Sequence, residues 1–176
     1  MKRTAGKALL RRHASRLRGA VTLVTLLAAC VPAFAANLSL VVLTKDGRPL
    51  SGAVVMAEPE SLKMPPATPQ KAIVDQVDLA FVPDVVVIPV GSSVSFPNSD
   101  RVSHQVYSFS PARRFQLPLY RGEQHSPVAF DQPGIVTLGC NIHDNMVAYV
   151  VVTAAPFFGR TNEQGRWVIP NAPQGA

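Results

Sequence analysis

From Asn37 onward the chain alternates apolar and polar residues in short runs, with little of the three-to-four-residue spacing of a buried helix face. Asn37–Leu43 (NLSLVVL) reads as a strand, Asp46-Gly47 as a turn, and Ala53–Ala57 (AVVMA) as its hairpin partner. Residues 58–70 (EPESLKMPPATPQ) hold four prolines and read as a loop. Further strand-like runs follow at Ile73–Val77, Leu79–Val82, Val85–Pro89, Ser93–Phe96, His104–Phe109, Phe115–Leu119, Ser126–Phe130 and Ile135–Leu138, with Met146–Thr153 (MVAYVVVT) the last strong one. Many short strands punctuated by Gly, Pro, Asn and Asp predict an all-β domain, a sandwich or barrel. Residues 156–176 read as a hairpin around Glu163-Gln164-Gly165 that ends in a Pro/Gly-rich stretch. About 20 residues cannot bury a core alone, so the hairpin either docks on the main sandwich or opens a longer unit.

The first 35 residues break this pattern. Seven basic residues and no acid lie there, ahead of an apolar run from Ala20 to Val31 and then Ala33-Phe34-Ala35. This is the layout of a secretory signal peptide cleaved after Ala35, and the run is too short for an ordinary membrane span. Leu27-Ala28-Ala29-Cys30 also fits a lipobox, which would leave a lipoprotein anchored through Cys30. The expected division is therefore 1–35 signal peptide, 36–155 main domain, and 156–176 C-terminal hairpin, a tail that resembles the start of a transthyretin-like module. The location is periplasmic or secreted.

Removing the leader changes the charge picture. The formal charge of the whole chain is +6, but beyond residue 35 ten basic residues stand against all eleven acids, a balance of −1. Such a body has no electrostatic footprint for nucleic acid. Export also changes the cysteine picture. Without Cys30, Cys140 is the one cysteine left, unable to form an internal disulfide, and a bound metal would protect its thiol.

Cys140 opens Cys140-Asn141-Ile142-His143-Asp144-Asn145-Met146, a loop between two strands. Alone, Cys140 would read as an ordinary buried thiol. Here a thiolate, an imidazole and a thioether fall within seven residues, and a tight loop can aim all three at one point. His104, after the turn-rich Asn98-Ser99-Asp100, is placed to supply a second imidazole from the same end of a sandwich. Two imidazoles and a thiolate in a plane with a weak axial Met suit copper electron transfer, whereas zinc sites rarely use Met. His125 reads as a solvated loop residue, or otherwise a further metal contact. Met56 and Met64 read as core and loop.

Cys140-x-x-His143-x-x-Met146 resembles the copper loop of amicyanin-type cupredoxins. Phe96-Pro97-Asn98 followed by His104-Gln105-Val106 is similar to the family's upstream pattern, and Pro133-Gly134 to its turn. Secreted plastocyanin-like proteins often labelled methylamine-utilisation proteins share the Cys-Asn-Ile-His loop. The resemblance spans about residues 72–153. It implies a Greek-key sandwich holding one Cu(I)/Cu(II) ion, with His104, Cys140 and His143 equatorial and Met146 axial. It implies a monomeric, non-enzymatic one-electron carrier that meets a redox protein partner transiently. Gln105 stands where the family has Asn, Leu138-Gly139 where it has an aromatic pair, and Asp144 follows His143. Asn98, Gln105 and Asp144 are the residues expected to support the ligands. The alternatives are a copper carrier or scavenger with the same ligands, and a structural β-module without metal. A multicopper oxidase needs more histidines than the three beyond the leader.

Overall fold

A computed structural model describes residues 36–60, 62–122 and 125–173. The expected signal peptide, its cleavage site and Cys30 lie outside them. The described chain is all-β, with β1 (Ala36–Val41), β2 (Val54–Ala57), β3 (Lys71–Ile73), β4 (Asp75–Val77), β5 (Ala80–Val82), β6 (Val85–Pro89), β7 (Ser92–Ser95), β8 (Tyr107–Ser110), β9 (Arg113–Gln116), β10 (Val128–Phe130), β11 (Gly134–Gly139), β12 (Val147–Thr153), β13 (Phe157–Arg160) and β14 (Arg166–Ala172). Among the described residues no helix is long and apolar enough to cross a membrane.

The main sheet has the order β6-β12-β11-β8-β9, with β6 parallel to β12 and the other neighbours antiparallel. A second sheet has the order β10-β7-β3, with β3 parallel to β7. Alternation fixes which face is buried. In β11, Val136 and Leu138 are buried while Ile135 and Thr137 are exposed; in β12, Ala148, Val150 and Val152 are buried while Val147 and Tyr149 are exposed. These side chains pack with Ile88 of β6, Val94 of β7 and Phe130 of β10 in one core, and Cys140 and Met146 belong to the same cluster.

Three predicted elements are drawn differently. Ile73–Val77 is not one strand. It splits at buried Val74 into β3, which joins β7, and β4, which forms a hairpin with β5. His104 precedes β8 and makes an isolated bridge to Tyr120. The β1–β2 hairpin does not form. The turn at Asp46-Gly47 is present, with Gly47 at φ 76° and its N–H donating to the Thr44 carbonyl at 3.0 Å. Beyond it the chain stays paired for a short way, Leu43 opposite Pro49 and the Leu50 N–H donating to the Val42 carbonyl at 2.9 Å, before Gly52 at φ 72° turns it away. Ala53 and Thr161 then exchange bonds: the Ala53 N–H donates to Thr161 Oγ1 at 3.0 Å, and the Thr161 N–H donates to the Ala53 carbonyl at 2.9 Å. This docks β2 on β13, and β1 pairs with β14. Both strands of the C-terminal hairpin therefore find partners in the N-terminal segment. Trp167 of β14 lies over Gly159 of β13, where any Cβ would overlap the indole.

Candidate metal centre

The site is built from two loops at one end of the main sheet. β11 delivers Cys140 directly after Gly139, and β12 begins directly after Met146. Between them the chain turns tightly, the Met146 N–H donating to the His143 carbonyl at 3.0 Å. The second loop brings His104, whose backbone is clamped from both sides. Its N–H donates to the Tyr120 carbonyl at 2.9 Å, and the Tyr120 N–H returns a bond to its carbonyl at 3.0 Å.

The three side chains converge. His104 Nδ1 lies 3.1 Å from His143 Nδ1, and Cys140 Sγ lies 3.9 Å from each of these nitrogens. His104 and Cys140 are buried, and His143 is half-buried. The centre of this triangle is about 2.1 Å from every corner, against the ~2.0–2.1 Å and ~2.3 Å at which a metal such as zinc binds imidazole nitrogen and thiolate sulfur. These three residues would hold a metal through two imidazole nitrogens and one thiolate, the donor set of His₂Cys copper sites. Met146 is buried in the same core at the end of the loop. The donor set therefore fits copper.

The residues expected to support the ligands are placed as follows. Asn98 is buried, and its amide donates to the carbonyls of Tyr120 (2.8 Å) and Val102 (3.0 Å), which fastens the loop before His104. Gln105 donates to the Leu117 carbonyl at 3.0 Å, on the side of β9. Asp144 is exposed. His125 packs edge-on against Tyr120, with ring centroids 4.5 Å apart, outside the donor cluster. Met56 and Met64 are exposed.

Two residues at the site escaped the sequence reading. Asp100 accepts a bond from His104 Nε2 at 3.0 Å. The Leu79 N–H first, and then His104, hold its carboxyl down at about 2. The signal was an Asp four residues before the candidate ligand. Tyr107 is the other. Gly139 removes the aromatic side chain expected beside Cys140, and Tyr107, opposite it in register on β8, fills the space: a Cβ on Gly139 would fall 2.8 Å from Tyr107 Cζ.

Tyr120 closes the floor beneath His104. Its hydroxyl donates to the Phe96 carbonyl at 2.6 Å and accepts from Gln76 Nε2. Burial raises its phenol to about 12. The folded state prefers the neutral form, so this contribution to stability is complete below the ordinary value near 10 and is lost as pH climbs toward 12. In an alkaline spectrophotometric titration, ionisation of Tyr120, isolated as the difference from Tyr120→Phe, should be displaced upward toward 12; ionisation of Tyr120 near the ordinary value of 10 in the folded protein would refute this.

No family model matches the chain. No curated protein matches it. Among solved structures, it is similar to a purple cupredoxin from Nitrosopumilus maritimus at 23% identity, over 47% of this chain and 99% of that one, with a TM-score of 0.42. It is similar to a reduced amicyanin variant at 18% identity, over 57% of this chain and 98% of that one, TM-score 0.43. A third is the Cu-containing nitrite reductase from Thermus scotoductus SA-01 at 26% identity, over 60% of this chain but only 27% of the enzyme, TM-score 0.43.

Proposed function

We propose that this chain is an exported one-electron carrier that holds a single copper ion through His104, Cys140, His143 and Met146. The donor triangle carries the reading: two Nδ1 atoms and one Sγ ring a point about 2.1 Å from each, the distance of a metal–ligand bond. Copper, when bound, supplies the Cu(II)/Cu(I) couple. The chain's own residues set its surroundings. The Cys140 thiolate and the Met146 thioether are soft donors suited to the reduced ion, and the two imidazoles suit the oxidised one. The His104–Tyr120 backbone bridge and the short Cys140–Met146 loop hold all donors in place, so little rearranges when an electron moves.

His143 is the more exposed of the two imidazoles, and Ile142 and Val102 are exposed apolar side chains on the two loops. We assign this edge to electron entry and exit through brief contact with a redox protein, an encounter of the small, weak class. In this reading residues 1–35 are an export leader and 36–155 the metal domain. Residues 156–176 form a terminal segment whose strands pair with β1 and β2.

Electron carriage is tested by exchange kinetics. In a mixture of oxidised and reduced protein, exchange broadening of the NMR signals of residues 102–104 and 140–146 should reveal fast self-exchange, and a mild chelator should leave the copper in place. Slow exchange with rapid loss of copper would instead indicate a copper-delivery protein.

A further inference from the structure

The β4–β5 hairpin reaches the donor cluster through one carboxylate. Asp100 Oδ2 accepts from the Leu79 N–H at 2.8 Å and from His104 Nε2 at 3.0 Å, and Oδ1 accepts from the Arg101 N–H at 2.7 Å. The Asp100 N–H donates to Asn98 Oδ1 at 3.0 Å. The hairpin grips the same loop a second time, since the Asp75 carboxylate accepts the Ser99 hydroxyl at 2.7 Å and the Ser99 N–H at 3.2 Å.

The turn that supplies the Leu79 N–H is strained. Asp78 and Leu79 have φ of 51° and 60°. Asp tolerates this region, but for Leu it is unfavourable. The Leu79 side chain is 50% exposed, so burial does little to offset that cost. The conformation closes the two-residue turn between paired Val77 and Ala80, and it also aims a backbone donor at Asp100. The His104 side chain is fully buried, so water cannot set the orientation of its ring. An ionised carboxylate only accepts hydrogen bonds, so the Nε2 facing it must carry the hydrogen. Nδ1 is then left with its lone pair toward Cys140 Sγ and His143 Nδ1.

We propose that Asp100, held by the β4–β5 turn, is a positioning residue for the metal: it locks His104 in the Nε2–H tautomer and places a negative charge behind the ligand that favours the oxidised ion. A carboxylate behind a ligating histidine raises the basicity of the ligand and commonly changes metal affinity 10–100-fold. The effect on the oxidised ion rests on the copper reading; the tautomer does not.

The experiment has a metal-free arm and a copper arm. In the metal-free wild type, ring ¹⁵N shifts should show His104 with hydrogen on Nε2, and Asp100→Ala should give a mixture of tautomers. Hydrogen on Nδ1 in the wild type would overturn the assignment. With copper, Asp100→Asn keeps the shape and removes the charge. It should retain the thiolate absorption and weaken the preference for Cu(II) over Cu(I) about tenfold, a rise in potential of about 59 mV. An unchanged or lowered potential would overturn the electrostatic role. If the wild type shows no thiolate absorption, the copper reading fails while the metal-free arm still decides the tautomer.

Discussion

Cys140→Ser should lower Cu(II) affinity more than ~100-fold, beyond what loss of a ligand's supporting partner costs, and leave the fold standing. The two effects separate because the side chain has two roles. As a packed group it is a small member of the core. Serine of nearly the same size leaves a poorly satisfied hydroxyl, which costs about 1–3 kcal/mol. As a donor it has no substitute. Its sulfur is equidistant from the two imidazole nitrogens at 3.9 Å, and no other described Cys, Asp or Glu joins the cluster. Competition titration against a chromophoric chelator, paired with denaturant unfolding of the metal-free protein, reads both. Wild-type affinity in the serine variant would remove the thiolate from the site.

Phe130→Ala should be the most damaging truncation in the core, at about 3–5 kcal/mol. The side chain is fully buried, and its ring meets Phe115 edge-on with centroids 6.2 Å apart; Phe115 in turn stacks on Phe96 at 5.6 Å. This row of rings leads from β10 to Phe96, directly before the Pro97–His104 segment. Removing its first member opens a cavity and loosens the base of that segment. The unfolding midpoint should fall without a change in denaturant slope, and copper affinity should drop with it. A loss under ~1 kcal/mol would show that the sheets close around the gap.

Most of the sandwich was legible because alternation is a local signal: β11 and β12 announce their buried faces residue by residue. The three clustered donors were legible for a related reason. Cys140 and His143 share one short loop, and only His104 had to be found at a distance. The pairing of β1 with β14 and of β2 with β13 was not legible, since a nearby turn at Asp46-Gly47 favoured the local hairpin. What decides against it is the turn at Gly52 together with the contact to Thr161, 108 residues from Ala53. Asp100 stood in plain view but read as a turn residue, because its bond to His104 depends on how the loop folds back. Asp144, next to His143 in sequence, drew attention instead and is exposed. The aromatic missing before Cys140 is supplied by Tyr107 from the neighbouring strand, a substitution in space that no linear motif records.

The most direct measurement of the central claim is the visible spectrum of the metal-free protein after addition of one equivalent of Cu(II). Copper held by His104, Cys140 and His143 predicts an intense thiolate-to-copper charge-transfer band that saturates at one copper per chain and is absent in Cys140→Ser. Weak ligand-field absorption alone, or the same band in the serine variant, would contradict it.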